Sequence, residues 1–215
     1  MDLKFFKVAK EGLPIIFSLL IIAWVVALLG YFNLSLLLFA LNLFNLFFFR
    51  DPERDIIIDS NAVISPADGK VIDISEQIEE HYINNKCKKI SIFLSIFDCH
   101  INRFPVDGKV FGTKHLDGKY KMAFENDASN ENERLITYIN NQENGIKLVV
   151  VQVAGFVARR IISYAKLDSE FAQGERFGLI KYGSRGDIYL PLKSKFDVEV
   201  GQKVRAGETV LAWIN

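Results

Sequence analysis

The stretch Glu175-Arg-Phe-Gly-Leu-Ile-Lys-Tyr-Gly-Ser-Arg-Gly-Asp-Ile-Tyr-Leu-Pro191 contains two strand-like runs that meet at a Gly-Ser pair. Glycine adopts positive φ without steric cost, so we expect the chain to turn at Gly183 and to begin a new strand near Ser184. A serine hydroxyl held against the carbonyl group of the preceding residue can attack that carbonyl and convert the amide bond into an ester. An ordinary hairpin turn is the alternative interpretation, because glycine and serine are both common in turns.

Hydrophobic periodicity after residue 50 is mostly that of β-strands. Residues 90–97 alternate between aliphatic side chains and a mixed set, which predicts a strand with one aliphatic face. Residues 135–140 and 146–153 flank a polar turn and predict a β-hairpin. Residues 117–133, rich in Asn, Asp and Glu, are predicted to form a surface loop with a short helical turn. The sequence therefore predicts one β-rich domain over residues 51–215, which is an ordinary size for a single domain.

The first fifty residues have a different composition. No charged residue lies between Leu13 and Phe49, and this length suits two apolar helices that join at Gly30-Tyr-Phe-Asn-Leu-Ser35. Basic residues flank this region on both sides, so the positive-inside rule predicts that both ends face the cytoplasm. Residues 1–50 are therefore predicted to form an apolar helical hairpin that anchors the chain in the cell membrane. A cleaved signal peptide and an interfacial hairpin that does not cross the bilayer are the alternatives.

Charge and cysteine content exclude some classes of function. The 26 basic and 26 acidic residues give zero net charge, which provides no electrostatic case for a nucleic-acid partner. Cys87 and Cys99 are too few for a disulfide scaffold and lack the spacing of metal ligands, so no metal site is predicted. Cys99 precedes His100, but adjacent residues of a strand point to opposite faces, which argues against a cysteine nucleophile.

Five further motifs follow one another along the chain. They are Phe49-Arg-Asp-Pro-Glu-Arg54, Ser65-Pro-Ala-Asp-Gly-Lys-Val71, Phe97-Asp-Cys-His-Ile-Asn-Arg-Phe-Pro105, Asn132-Glu-Arg134 and Ala154-Gly-Phe-Val-Ala-Arg-Arg-Ile161. Each motif is weak alone, but their order and spacing, together with residues 174–191, resemble the phosphatidylserine decarboxylase proenzymes in their short, membrane-anchored form. The resemblance covers nearly the whole chain.

This resemblance implies an activity and a cofactor. In that family the Gly183–Ser184 bond cleaves autocatalytically, here into a β chain of residues 1–183 and an α chain of residues 184–215 that stay together as a heterodimer. Ser184 becomes a covalent pyruvoyl group, which replaces a diffusible cofactor. The implied reaction converts membrane phosphatidylserine into phosphatidylethanolamine. A related serine phospholipid of the archaetidylserine type is an alternative substrate, and homo-oligomerisation is left open.

The resemblance also assigns catalytic residues. His100 matches the histidine segment of the family, and histidine is suited to proton transfer near neutral pH. Asp68 is predicted to complete an Asp-His-Ser relay with His100 and Ser184, holding the imidazole in the tautomer that accepts the hydroxyl proton. A structural histidine and an ordinary Asp-Gly turn are the alternative interpretations.

The sequence leaves open which histidine serves processing and which serves decarboxylation. Some family members carry a second histidine three residues after the first, where this chain has Arg103. Either His100 therefore serves both processing and decarboxylation, or another base such as His115 takes part. His81 lies in a polar segment and is predicted to be a surface residue.

Three arginines are candidates for binding the substrate. Arg103, Arg159 and Arg160 are predicted to bind lipid phosphate, because a guanidinium group forms two parallel hydrogen bonds with it. Surface ion pairs are the alternative role for all three.

Two segments suggest the architecture of the β-rich region. Residues 65–73 and 198–213 resemble the strand-and-turn units of biotinyl and lipoyl carrier domains. The predicted fold class is mainly β (α+β), with the N-terminal apolar helical hairpin followed by a compact β-sandwich or barrel. The same likeness supports a rival function, that of a non-enzymatic, membrane-anchored β-sandwich adaptor. That rival does not account for the sequence around Gly183 and Ser184.

Overall fold

A computed structural model of the protein describes residues 7–80, 82–119, 121, 131–155, 161–181 and 183–214. The described residues form two helices followed by fourteen strands. Their bounds are α1 Leu13–Leu28, α2 Phe32–Phe48, β1 Ala62–Ile64, β2 Gly69–Glu79, β3 Asn85–Leu94, β4 Ile101–Arg103, β5 Gly108–Leu116, β6 Arg134–Asn141, β7 Lys147–Ala154, β8 Ile161–Ser163, β9 Glu170–Phe171, β10 Arg176–Ile180, β11 Ser184–Pro191, β12 Lys195–Phe196, β13 Lys203–Val204 and β14 Val210–Trp213. The chain is therefore mainly β with two N-terminal helices, as predicted.

The chain divides into two compact units, Met1–Glu53 and Arg54–Asn215. In the first unit, α1 and α2 pack against each other, and the hydroxyl of Ser35 donates a 2.8 Å hydrogen bond to the carbonyl of Ala23 on the other helix. The predicted turn is too long, because α2 already begins at Phe32 and includes the polar residues that follow. Of the helices in the described part of the chain, none combines the length and the hydropathy that crossing a bilayer requires.

The second unit is built from sheets. In its largest sheet among the described residues, eight strands lie in the order β13-β2-β3-β11-β7-β6-β5-β9. Strand β11 lies between β3 and β7 and is antiparallel to both. The sheet therefore places the chain after Gly183 in the middle of its hydrogen-bonding network, where it is paired on both edges.

Side chains of the large sheet alternate between two packed faces. Ile90, Ile92 and Leu94 of β3 belong to the main hydrophobic core, together with Ile188 of β11 and Val150 of β7. The opposite face carries a second apolar cluster, formed by residues such as Val149, Val151 and Tyr189. Because side chains of a strand alternate between faces, the even-numbered residues of β11 point toward the main core.

Two of the predicted strand patterns are confirmed. The predicted hairpin corresponds to β6 and β7, which pair antiparallel. The aliphatic face of residues 90–94 is buried as predicted, but β3 ends at Leu94 and Ile96 lies outside the strand. The predicted loop at residues 117–133 lies largely outside the described residues.

The two carrier-like segments lie next to each other in the fold. Strand β13 pairs with the start of β2, with Val204 opposite Gly69. Strand β14 pairs with β1 in a separate sheet. The likeness to carrier domains, and the description of the domain as a sandwich or barrel, stay predictions.

Candidate functional site around Gly183 and Ser184

The predicted strands on both sides of the Gly-Ser pair are confirmed as β10 and β11. Gly183 has a φ of 74°, a left-handed conformation that favours glycine. Ser184 is the first residue of β11 and lies opposite Leu94 of β3 and Ala154 of β7. The peptide bond between these two residues thus joins a left-handed turn to a strand that is held on both sides.

The hydroxyl of Ser184 lies in the interior. Its residue is 0 % exposed, and Oγ has no hydrogen-bond partner among the residues that the structure describes. A buried hydroxyl without a partner is costly, because it has lost its hydrogen bonds to water. Such an atom in a native fold calls for an explanation, and a nucleophile adjacent to the bond it attacks supplies one.

His100 contacts the residue before the serine. The backbone N–H of Gly183 donates a 3.2 Å hydrogen bond to Nε2 of His100, and Nδ1 lies 3.0 Å from the carbonyl oxygen of Asp98. A carbonyl only accepts and an N–H only donates, so this pattern assigns the proton to Nδ1 and leaves a lone pair on Nε2. The imidazole is buried and fixed in the tautomer that accepts a proton at Nε2, on the side of Gly183.

The strand after His100 explains why the ring is held there. Strand β4 begins at Ile101 and pairs with β10, in which Ile101 lies opposite Leu179. Since β10 leads directly into the turn at Gly183, this pairing brings the segment of residues 98–100 to the same turn. The sequence motif thus specifies a position as well as a residue type.

Asp68 makes two hydrogen bonds in the described structure. Its Oδ2 accepts a 2.7 Å bond from a guanidinium nitrogen of Arg54, and its Oδ1 accepts a 2.8 Å bond from the backbone N–H of Ala206. The contact that fixes the imidazole of His100 comes from the backbone of Asp98. Asp68 is thus an ion-pair partner in this state, and its relay role stays a prediction.

Arg54 was missed as a site residue by the sequence analysis, which used it only as part of a motif and as a flanking charge. Burial alone lowers the pKa of its guanidinium, but the charge and hydrogen bond of Asp68 outweigh burial and raise the pKa above the ordinary value. Glu208 lies 3.5 Å from the same guanidinium. Arg54 is therefore a permanent cation that links Asp68 to the C-terminal segment.

A buried charged cluster lies on the opposite face of β11. Arg185 forms a 2.7 Å ion pair with Asp187 and donates a 2.7 Å hydrogen bond to the hydroxyl of Ser91 on β3. Lys89 of β3 lies 3.5 Å from the same Asp187 carboxylate. These charge-assisted contacts, together with the pairing of β11 to both neighbours, hold the start of β11 in place from behind Ser184.

The remaining histidines lie elsewhere. His115 is half-exposed on β5 and lies 3.1 Å from the carboxylate of Glu133. Strand β5 is three strands away from β11, which is about 14 Å along the sheet at ~4.8 Å per strand. The structure thus does not bring His115 to Ser184, and His81 lies outside the described residues.

The structure describes only one of the three arginines that are candidates for binding phosphate. Arg103 is buried and donates a 2.9 Å hydrogen bond to the carbonyl of Gly174. Arg159 and Arg160 lie outside the described residues. Phosphate binding by these three side chains therefore stays a prediction.

Comparison with known proteins identifies relatives over nearly the full length. The chain matches the family model described as phosphatidylserine decarboxylase over residues 41–212. It is 45 % identical to the phosphatidylserine decarboxylase proenzyme of Geobacter metallireducens, with 95 % of each chain covered. It is 43 % identical to the proenzyme of that name from Carboxydothermus hydrogenoformans, also over 95 % of each chain. It is 40 % identical to that from Cupriavidus pinatubonensis, over 95 % of this chain and 94 % of the relative.

Proposed function

Because the chain belongs to the phosphatidylserine decarboxylase family, we propose that it cuts its own Gly183–Ser184 bond and then converts phosphatidylserine into phosphatidylethanolamine. The observation that carries this proposal is the buried hydroxyl of Ser184, which has no partner among the described residues and follows the residue bound to His100. A structural turn has no need for such an arrangement. The rival adaptor function has no use for it either.

Self-cleavage begins as an acyl shift within the chain. Oγ of Ser184 attacks the carbonyl carbon of Gly183, a C–O bond forms, and the C–N bond to Ser184 breaks. The hydroxyl proton passes to the released amino nitrogen through Nε2 of His100, whose lone pair accepts the N–H of Gly183 in the structure and gives up that hydrogen bond for the transfer. The product is an ester with the same atoms as the starting chain.

The ester then undergoes β-elimination, and the dehydroalanine that forms is hydrolysed. Loss of the Cα proton of residue 184 breaks the Cβ–Oγ bond, and Gly183 leaves as a carboxylate. Water hydrolyses the resulting dehydroalanine, releasing ammonia and leaving a pyruvoyl group on residue 184. The site fits this group, because the pyruvoyl group occupies the space of the serine from which it forms.

The pyruvoyl group supplies a covalent electron sink for the negative charge that develops when carbon dioxide leaves the substrate. The side chains around it have separate tasks. His100 is proposed to return a proton to the substrate carbon, because its Nε2 lies beside the residue that precedes position 184. Asp68 is proposed as the acid of the relay, in addition to the ion pair that it forms with Arg54 in the structure.

The cleaved pieces are proposed to stay together as a heterodimer of residues 1–183 and 184–215. Strand β11 pairs with β3 from Ser184 to Pro191 and with β7 from Ser184 to Tyr189. The ion pair between Arg185 and Asp187 is buried in the same strand. These contacts do not depend on the bond that breaks.

Residues 1–50, which contain the two N-terminal helices, are proposed to bind the cytoplasmic face of the cell membrane. Trp24 and Phe32 are 65 % and 71 % exposed, and many other large apolar side chains of α1 and α2 are exposed as well. An apolar groove of about 570 Å³ between the helices is lined by residues that include Trp24, Phe32 and Leu36. Exposed apolar surface of this extent is typical of proteins that bind membranes or partners.

The experiment is a release assay on the purified full-length protein. Vesicles that contain phosphatidylserine labelled at the serine carboxyl carbon are expected to lose label as carbon dioxide with the wild type. The Ser184→Ala variant is expected to release none. Sodium cyanoborohydride added with phosphatidylserine is expected to inactivate the wild type, because it reduces the condensation product of a ketone and an amine to a stable secondary amine. Full activity of Ser184→Ala would contradict the proposal.

A further inference from the structure

A chain of buried amide groups links the turn before Asp68 to strand β7. The side-chain Nε2 of Gln152 donates a 2.8 Å hydrogen bond to Oδ1 of Asn102. The side-chain Nδ2 of Asn102 donates in turn to the backbone carbonyl of Pro66, at 3.3 Å. Because a backbone carbonyl only accepts, this order fixes the orientation of both carboxamides. It leaves Oε1 of Gln152 as the acceptor at the end of this series of hydrogen bonds.

That acceptor has no use within the described structure. Gln152 is 1 % exposed, and its Oε1 has no hydrogen-bond partner among the described residues. Glutamine is rarely buried to this extent, because its two polar atoms both need partners. The sequence analysis gave no role to Gln152, which lies in the middle of an otherwise apolar strand.

The strand register places Gln152 near Ser184. Gln152 lies directly opposite Gly186, and Ala154 lies directly opposite Ser184. Residues two apart on a strand share a face, so Gln152 and Ser184 are diagonal neighbours on the face that points to the main core. Diagonal neighbours have Cα atoms about 7–8 Å apart, a distance that a long side chain spans.

Glycine at position 186 adds no side chain to the face of β11 that Ser184 and Gln152 share. A Cβ added there would meet only the Cβ of Ala67, at 3.7 Å. No side chain of β11 therefore separates the carboxamide of Gln152 from the hydroxyl of Ser184. Ala67 also places the turn that carries Asp68 against this part of the strand.

We propose that Gln152 is a positioning residue for self-cleavage, whose Oε1 accepts the hydroxyl hydrogen of Ser184 and so directs the Oγ lone pair at the carbonyl of Gly183. This inference rests on the proposed function. The two unpartnered atoms are complementary, since one is an acceptor and the other carries a donor hydrogen. Neither atom has a partner in the described structure, so the bond forms when the two side chains rotate toward each other, and it then holds the hydroxyl in one rotamer until the proton passes to His100.

The test follows cleavage of freshly translated full-length chains by gel electrophoresis over time. Gln152→Leu keeps a similar size without a polar group and is expected to slow cleavage at least tenfold. Gln173→Leu is the matched control, because Gln173 is also buried and its Nε2 donates to the carbonyls of Ala62 and Pro105. The control is expected to cleave at the wild-type rate in its folded fraction, measured by resistance to protease.

A charge variant separates positioning from packing. A protonated glutamic acid can donate to Asn102 and still accept from Ser184, whereas an ionised one faces Asn102 with a second acceptor. Gln152→Glu is therefore expected to cleave nearly as fast as the wild type at acid pH and to slow as the carboxyl group ionises. A purely structural role predicts no new pH dependence of the cleavage rate in the folded fraction.

A second variant tests the inference if Gln152→Leu fails to fold. Gly186→Ala leaves both polar residues intact, and its methyl group, which would contact only Ala67, narrows the space on the face that Gln152 and Ser184 share. It is expected to slow cleavage at an unchanged melting temperature. Wild-type cleavage rates in folded Gln152→Leu or folded Gly186→Ala would overturn the inference. Cleavage of Ser184→Ala would instead contradict the proposed function.

Discussion

The backbone N–H of Gly183 donates a hydrogen bond to Nε2 of His100 across 83 positions of sequence. The contact ties the proposed base to the residue whose carbonyl is proposed to be attacked, and the carbonyl of Asp98 holds the other ring nitrogen. The imidazole therefore faces Gly183, beside the bond that we propose to be cleaved.

Removing the imidazole is expected to stop processing. We expect His100→Ala to cleave at least 100-fold more slowly than the wild type, because general base catalysis contributes about 10²–10⁴ in rate. Gel electrophoresis of freshly translated chains measures this rate. His115→Ala is the control and is expected to cleave normally. Normal cleavage of His100→Ala without release of carbon dioxide would restrict His100 to the decarboxylation step.

The left-handed turn at Gly183 is expected to matter for cleavage more than for stability. Gly183→Ala has room for its methyl group, since the nearest atom is Cγ2 of Ile96 at 3.6 Å, but positive φ costs about 1–2 kcal/mol. Relaxation of that strain moves the N–H away from His100 and should slow cleavage. Gly30→Ala carries the same kind of strain, at a φ of 86° between the helices, and should cleave normally. Equal cleavage rates in both variants would contradict this role of the turn.

The ion pair of Arg54 and Asp68 gives two separable expectations. The side chains are only 8 % and 13 % exposed, so loss of either partner is expected to destabilise the fold by about 3–5 kcal/mol. The relay role adds that Asp68→Asn cleaves at least 100-fold more slowly in its folded fraction, whereas Arg54→Met does not. Urea unfolding and the cleavage assay measure the two effects. Normal cleavage by folded Asp68→Asn would contradict the relay role and would limit Asp68 to stabilising the fold through its ion pair.

Several features of the fold follow directly from the sequence. The alternation at residues 90–94 and the pair of runs that became β6 and β7 identify strands, because a two-residue period is a local property of the chain. The turn at Gly183 was predictable for the same reason. His100 could be selected because its motif resembles that of a family, but the bond to Gly183 joins distant segments and has no local signal.

Other parts of the site could not be read from the sequence. In the sequence, Arg54 is one of the basic residues that flank the apolar region, and no residue adjacent to it in sequence indicates Asp68 as its partner. Gln152 had one available signal, which is a long polar residue within a buried apolar strand. Its proximity to Ser184 depends on the register of β11 against β7, which is set by pairing across the sheet and not by local pattern.

Stability at alkaline pH is expected to depend on Tyr189. Burial, with the nearby charge of Asp187, raises the pKa of its phenol well above the ordinary value. The unfolded chain loses the proton from about pH 10 upward while the folded chain keeps it, so the free energy of unfolding falls by about 1.4 kcal/mol per pH unit. Below pH 10 this contribution is fully present.

Urea unfolding at a series of pH values above 9 measures this contribution. Tyr189→Phe should flatten the decline, because it removes the group that titrates. Tyr31→Phe is the control, since Tyr31 is exposed between the helices. An identical decline in Tyr189→Phe and the wild type would show that the buried phenol is not responsible.

Intact-protein mass spectrometry tests the central claim most directly. The wild type is expected to give two fragments, residues 1–183 ending in a free carboxylate and the 32 residues 184–215 with a pyruvoyl group at their start. The Ser184→Ala variant is expected to stay a single chain. Active wild-type protein that runs as one uncut chain, with an unmodified serine at position 184, would contradict the account.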